Sequence, residues 1–147
     1  MPAGYSEAAL ELGLAAIVDR NIQVRLHYDD PGNDGTANGI DTTHGGYAHV
    51  HITKGGFTRE SAARYSNTND INFAAATATW GSDSTTPQDV AWLSLWYDAN
   101  NEDNTDVSMF DTHLGNFQFR TAQTVQNGDP FVIRQRTLDI VSTSVSS

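Results

Sequence analysis

The spacing of hydrophobic and polar positions changes period once, near residue 21. Before it, Ala9, Leu10, Leu12, Gly13, Leu14, Ala16, Ile17 and Val18 supply a broad apolar face, while Glu11 and Asp19 are polar. Ser6 reads as an N-cap, Glu7 suits the positive end of the helix dipole, and Asn21 can end the run. The pattern predicts a helix over 5–20. It is apolar enough to pack on its own sheet or on another subunit.

After residue 21 the period is two. In IQVRLHYD, Ile22, Val24, Leu26 and Tyr28 face one way and Gln23, Arg25 and His27 the other. In GYAHVHIT, Ala48, Val50 and Ile52 alternate with Tyr47, His49 and His51. Further strands are predicted in DINFAAATATW, VAWLSLWYD, GNFQFRTA and PFVIRQRTLDIVS, with turn signals KGG, NTND, GSDSTTPQD, ANNEDNTD and QNGD between them. VAWLSLWYD is apolar on both faces and is the expected central strand. Short strands separated by turns predict a mainly β fold, an antiparallel β-sandwich or jelly-roll-like barrel with one N-terminal α-helix. The chain reads as one domain over 1–147, with the β-domain over 22–141 and a polar tail, STSVSS, over 142–147.

Composition narrows the function classes. The chain of 147 residues carries 8 Lys and Arg against 18 Asp and Glu, a net charge of -10. Its basic residues form no cluster, which argues against nucleic acid and anionic membrane as partners. With 0 Cys, disulfides, Cys-zinc sites and thiol nucleophiles are out of reach. The N-terminal stretch lacks a basic region before its apolar run and is not read as a secretory leader. No apolar run approaches the ~20 residues that cross a bilayer.

Candidate chemistry concentrates in LHYDDPGNDGTANGID, residues 26–41, where Asp29, Asp30, Asp34 and Asp41 crowd a Gly-rich stretch. Counted from Asp30, Asp34, Gly35 and Asp41 fall at the fifth, sixth and twelfth positions of a calcium loop. Gly32 stands at the third, however, and a strand precedes it. An ordered loop, with Asp and Asn capping their own backbone and Gly at positive φ, fits better. His49 and His51 share one face of a strand, but nothing in the sequence brings a third metal ligand near. There is no nucleophile elbow, no phosphate-cradling loop and no carboxylate pair set in an aromatic cleft. No catalytic residue, metal or cofactor is therefore expected. Trp80, Trp92 and Trp96 could form a saccharide platform, although such aromatics more often serve a core or subunit interface.

The order of the motifs is more telling than any one of them. V-x-L-H-Y-x-D-P-G-x-x-G (Val24–Gly35), G-G-Y-A-x-V (Gly45–Val50), S-N-T-N-x-I-x-F-x-x-A-T-A-x-W-G (Ser66–Gly81), L-x-L-W-Y-D (Leu93–Asp98), G-N-F-x-F (Gly115–Phe119) and V-x-N-G-D (Val125–Asp129) follow one another. In this order the chain resembles small virion proteins of tailed bacteriophages, described as tail-fibre-like, with related folds among capsid decoration (cement) proteins. Two longer connections depart from the pattern, GSDSTTPQD after Gly81 and ANNEDNTDVSMFDTHL before Gly115.

The resemblance implies a non-enzymatic structural protein of the virion, assembled in the host cytoplasm as a homotrimer. The first expectation is a capsid decoration protein that binds the major capsid protein and stabilises the head. The alternative is a tail-fibre or baseplate component, touching tail proteins and a host saccharide or receptor. The expected partner surface comprises Leu10, Leu14 and Ile17 of the helix, Asp29, Asp30 and Asp34 of the acidic loop, and Trp80 and Trp96.

Overall fold

The computed structural model of the chain describes residues 6–141. Position 5, where the helix is expected to begin, and the tail over 142–147 lie outside the described residues. Helix α1 (Glu7–Val18) starts where expected from its cap: the Ser6 hydroxyl accepts from the Ala9 N–H at 3.2 Å. Leu14 and Val18 are buried, Ile17 packs against the core, and Leu12 remains 74% exposed. At the far end Asn21 is buried and bonds three ways. Its N–H donates to Glu102 O, its amide to Asn104 O, and its side-chain oxygen accepts from Lys54 N–H.

The main sheet takes the order β2-β1-β8-β9 and is antiparallel throughout, from β1 (Ile22–His27), β2 (Val50–Ile52), β8 (Val90–Tyr97) and β9 (Thr112–Gln123). The register pairs Val24 with Leu95 and Leu26 with Leu93, which puts the apolar residues of the two central strands on one face. The facing layer is built of smaller pieces. β3 (Phe57–Ser61) and β4 (Arg64–Asn67) form a hairpin flanked by β11 (Asp139–Val141). β5 (Ile71–Asn72) pairs β10 (Val132–Ile133), and β6 (Gly81–Asp83) pairs β7 (Thr86–Pro87). Between the layers lie Leu14, Ile22, Val24, Leu26, Tyr47, Phe73, Trp80, Leu93, Leu95, Phe131 and Ile140. Burial of each large apolar side chain contributes ~1.5–3 kcal/mol. The fold is thus mainly β and antiparallel, with one helix near its N-terminus.

Four local expectations change. PFVIRQRTLDIVS is not one strand: it breaks into β10 and β11, which join different sheets. DINFAAATATW is strand only at Ile71–Asn72. From Phe73 on, its backbone bonds to several different loops: Phe73 N–H to Phe131 O, Ala76 N–H to Asp129 O, Thr77 N–H to Gly45 O and Trp80 N–H to Val125 O. No single neighbour supplies a ladder, so no strand forms, although Phe73, Ala76 and Trp80 are buried. In GYAHVHIT the strand begins only at Val50, and Tyr47 is core while Ala48 is exposed. Gly45 and Gly46, at φ 70 and 73, turn the chain there and break the alternation. The β3–β4 hairpin was not expected, because its turn contains no glycine. Ala63 adopts φ 56 instead, and its N–H donates to the Glu11 carboxylate of α1.

Candidate functional site

Period two in β1 places Gln23, Arg25 and His27 on the face away from the apolar core. Much of that face is covered: Gln23 is 0% exposed and His27 3%, while Arg25 is half-buried. β1 is central, between β2 and β8. Two loops roof its second face. From one end of the sheet, residues 28–44 fold back, with Tyr28 N–H bonded to Asn38 O and Ile40 N–H to Leu26 O. From the other end, residues 98–111 bring in Phe110, which is buried and stacks on His51 at 6.4 Å.

Beneath this roof the register sets Arg25 beside Ser94, Gln23 beside Trp96 and Trp96 beside His113. The Arg25 guanidinium lies 3.9 Å from the centre of the Trp96 ring. Its Nε donates to Gln23 Oε1 and its Nη2 to Phe110 O, both at 2.6 Å. His113 Nε2 meets Asn116 Oδ1 at 2.7 Å, and the Asn116 amide donates to Gly32 O at 2.7 Å, which ties β9 to the first loop. Gly35 is the contact point of that loop. A Cβ there would lie 2.4 Å from His113 Cδ2 and 2.9 Å from Trp96 Cζ2, and φ is +73, so both space and backbone require glycine.

The hydrogen bonds fix the protons. His27 Nδ1 meets Ala37 O at 2.8 Å, and a carbonyl only accepts, so Nδ1 carries the proton. His27 Nε2 therefore accepts from the Ser94 hydroxyl at 2.7 Å, and Ser94 Oγ accepts from the Trp96 indole N–H at 2.7 Å. A second chain runs from Leu26 N–H to Tyr47 Oη at 2.8 Å, then from the Tyr47 hydroxyl to His49 Nδ1 at 2.9 Å. His49 is left with its proton on Nε2. Burial, then the Arg25 and His27 charges, push the His49 pKa down to about 4. Burial lowers that of His27 and Arg25 as well.

Ser94 and His27 have the spacing of a nucleophile and its base, but Ser94 is 0% exposed and its oxygen already accepts an indole N–H. No acyl group can reach it without unpacking the sheet. The acids of the first loop serve their own turns. Asp29 Oδ1 accepts from Asp30 N–H, Asp30 Oδ1 from Gly32 N–H, and Asp34 Oδ1 from the N–H and hydroxyl of Thr36. Asp41 binds Thr43 in the same way. These backbone N–H bonds, chiefly, hold the Asp34 and Asp41 carboxyls below the usual range. Among the described residues no three His, Asp or Glu side chains gather as metal ligands, and no helix is long and apolar enough to cross a membrane.

A model of the family described as Podophage GP4 fiber I protein gp80 matches residues 13–141. The chain belongs to this family. It is accordingly a structural protein of a tailed-phage virion, of fibre type, as the order of its motifs suggested. The family match spans both roofing loops. No curated protein matches the chain.

Within this family member the expected partner residues divide by depth. Asp29, Asp30 and Asp34 stand exposed on the first loop, and Leu10 and Ile17 are half-buried on α1. Leu14, Trp80 and Trp96 are enclosed by the chain itself and offer a partner no surface. Trp80 sits against Tyr47 and Phe131 and donates its indole N–H to Gly45 O at 2.9 Å. Trp96 lies under Arg25 and the Gly35 loop. Arg25, His27, His49, Ser94, His113 and Asn116 went unrecognised as a site. The available signal was the strand next to VAWLSLWYD: β1 adjoins a strand buried on both faces, so its polar residues are themselves covered.

Proposed function

We propose that the chain is a component of the phage tail fibre apparatus that acts by binding, with no chemistry of its own, at the host cell surface. The family's fibre description carries this reading. The geometry agrees with it in one respect: the polar residues beneath the loops are locked to one another, which suits a rigid recognition surface better than a reaction centre. Polar, Asp-rich loops held on a sheet are also the usual place for contact with partners.

Self-assembly, as a homotrimer, and attachment to other tail proteins belong to the same proposal. β9 is an edge strand of the main sheet, and beside it runs a groove of about 600 Å³ lined by Leu93, Phe117, Phe119, Ile133 and Leu138. A strand edge that pairs with nothing among the described residues, next to half-buried phenylalanines, is a surface that a second copy can cover. Light scattering on the purified chain gives the copy number.

Immunogold labelling of virions, with copies per particle counted by quantitative mass spectrometry, tests location. Label on the tail at a handful of copies is expected. Label over the head at hundreds of copies would instead make the chain a capsid decoration protein bound to the major capsid protein.

A further inference from the structure

We propose that the cleft over Arg25 is a binding site for the carboxylate of an acidic sugar. This deepens the host-contact reading and rests on it only for where the ligand comes from. The cleft measures about 190 Å³ and is lined by Arg25, His27, Gly35, Thr36, Thr42 and His49, among others. One wall is the polar face of β1; the other is the first loop.

Arg25 supplies the charge. The ion pairs formed among the described residues engage Lys54, Arg59, Arg64, Arg134 and Arg136, and none reaches Arg25. In a chain of 18 acids and 8 basic side chains, a half-buried guanidinium without a carboxylate is unusual. Two neutral acceptors, Gln23 Oε1 and Phe110 O, hold its orientation. Nη1 has no acceptor among the described residues. A guanidinium stacked on an indole and fixed on one side is prepared to take a planar carboxylate on the other.

His49 supplies a second donor. The hydrogen-bond chain from Leu26 through Tyr47 leaves its proton on Nε2, and Nε2 has no partner of its own among the described residues. The neutral tautomer persists down to about pH 4. His27 adds no free donor, since both its nitrogens are occupied. Thr36 and Thr42, exposed on the loop wall, offer hydroxyl oxygens to the hydroxyls of a sugar ring. The nearby acids, Asp34 and Asp41, are turned to Thr36 and Thr43. The polar walls and small volume favour one monosaccharide over an apolar ligand.

The test is a titration of the purified full chain, followed by ¹⁵N NMR, with glucuronate, N-acetylneuraminate, glucose and acetate as separate probes. An acidic sugar is expected to shift the Arg25 and His49 side-chain signals saturably, acetate more weakly, and glucose not at all. Arg25→Gln and His49→Phe are each expected to weaken binding about tenfold, ~1.4 kcal/mol. If Arg25→Gln does not fold, Thr42→Trp fills the cleft from the loop side and is expected to abolish the shifts with the fold intact. Silence towards every acidic sugar, shifts that survive Thr42→Trp, or acetate binding as tightly as the sugars would overturn the assignment. The location experiment is independent. Sugar binding by a protein found on heads overturns the fibre reading alone, and a tail protein that binds none overturns the cleft alone.

Discussion

The His27 imidazole accepts the Ser94 hydroxyl through Nε2 at 2.7 Å, across two central strands and with neither residue open to water. Because Ser94 also accepts the Trp96 indole N–H, one hydroxyl satisfies two buried groups. Ser94→Ala removes both bonds at once and leaves a ring nitrogen and an indole N–H unpaired. Each orphaned group costs ~1–3 kcal/mol. Urea denaturation of Ser94→Ala is expected to show a loss of ~2–6 kcal/mol on that basis. A loss below ~0.5 kcal/mol would mean that the network is not rigidly formed.

Acid is expected to weaken the fold through two histidines. His27 and His49 are held neutral, with folded pKa values lowered from 6.5, that of His49 to about 4. Below 6.5 the unfolded chain binds these protons and the folded chain does not. Stability is therefore full above 6.5 and falls as pH drops from 6.5 towards about 4. Melting temperatures at pH 7, 5.5 and 4.5 measure the slope. His49→Gln, which keeps an acceptor for Tyr47, is expected to flatten it.

Gly35→Ala and Gly128→Ala separate crowding from backbone strain. Both positions have positive φ, +73 and +89. At Gly128 a Cβ meets nothing within 4 Å, so the substitution costs only the left-handed conformation, ~1–2 kcal/mol. At Gly35 it also drives into His113 and Trp96. Gly35→Ala is expected to be the more damaging of the two, and to increase hydrogen exchange at Tyr28 and Ile40, whose N–H groups close the loop.

On α1, Leu12 and Leu14 are expected to respond oppositely. Leu14→Ala empties a core position and is expected to cost ~2–5 kcal/mol. Leu12→Ser changes a side chain 74% exposed and is expected to leave stability within ~0.5 kcal/mol. A Leu12→Ser variant that loses its oligomeric state in light scattering would make this helix an assembly surface.

Much of the fold is written locally. The Ser6 cap, the helix itself and the two-sided apolarity of VAWLSLWYD depend on near neighbours and on side-chain period and appear as expected, although the helix ends at Val18 with Asp19 as its C-cap, short of the expected 20. So do the carboxylates of residues 29–41, whose bonds to backbone two residues on are short-range chemistry. The order of Gly turns and strands was enough to reach the family.

Tertiary structure decided the rest, because burial is a property of what lies opposite. Period two tells which residues of β1 share a face, but not whether that face is covered. The two loops cover most of it: they bury Gln23 and His27, leave Arg25 half-buried, and join the three into a hydrogen-bonded layer. The same holds for the tryptophans. Composition offers Trp80 and Trp96 as a platform, and the packing of Gly45 on one and of Gly35 and Arg25 on the other encloses both. The Ala63 turn is long-range too, since its N–H donates to Glu11 of α1, 52 positions away in sequence.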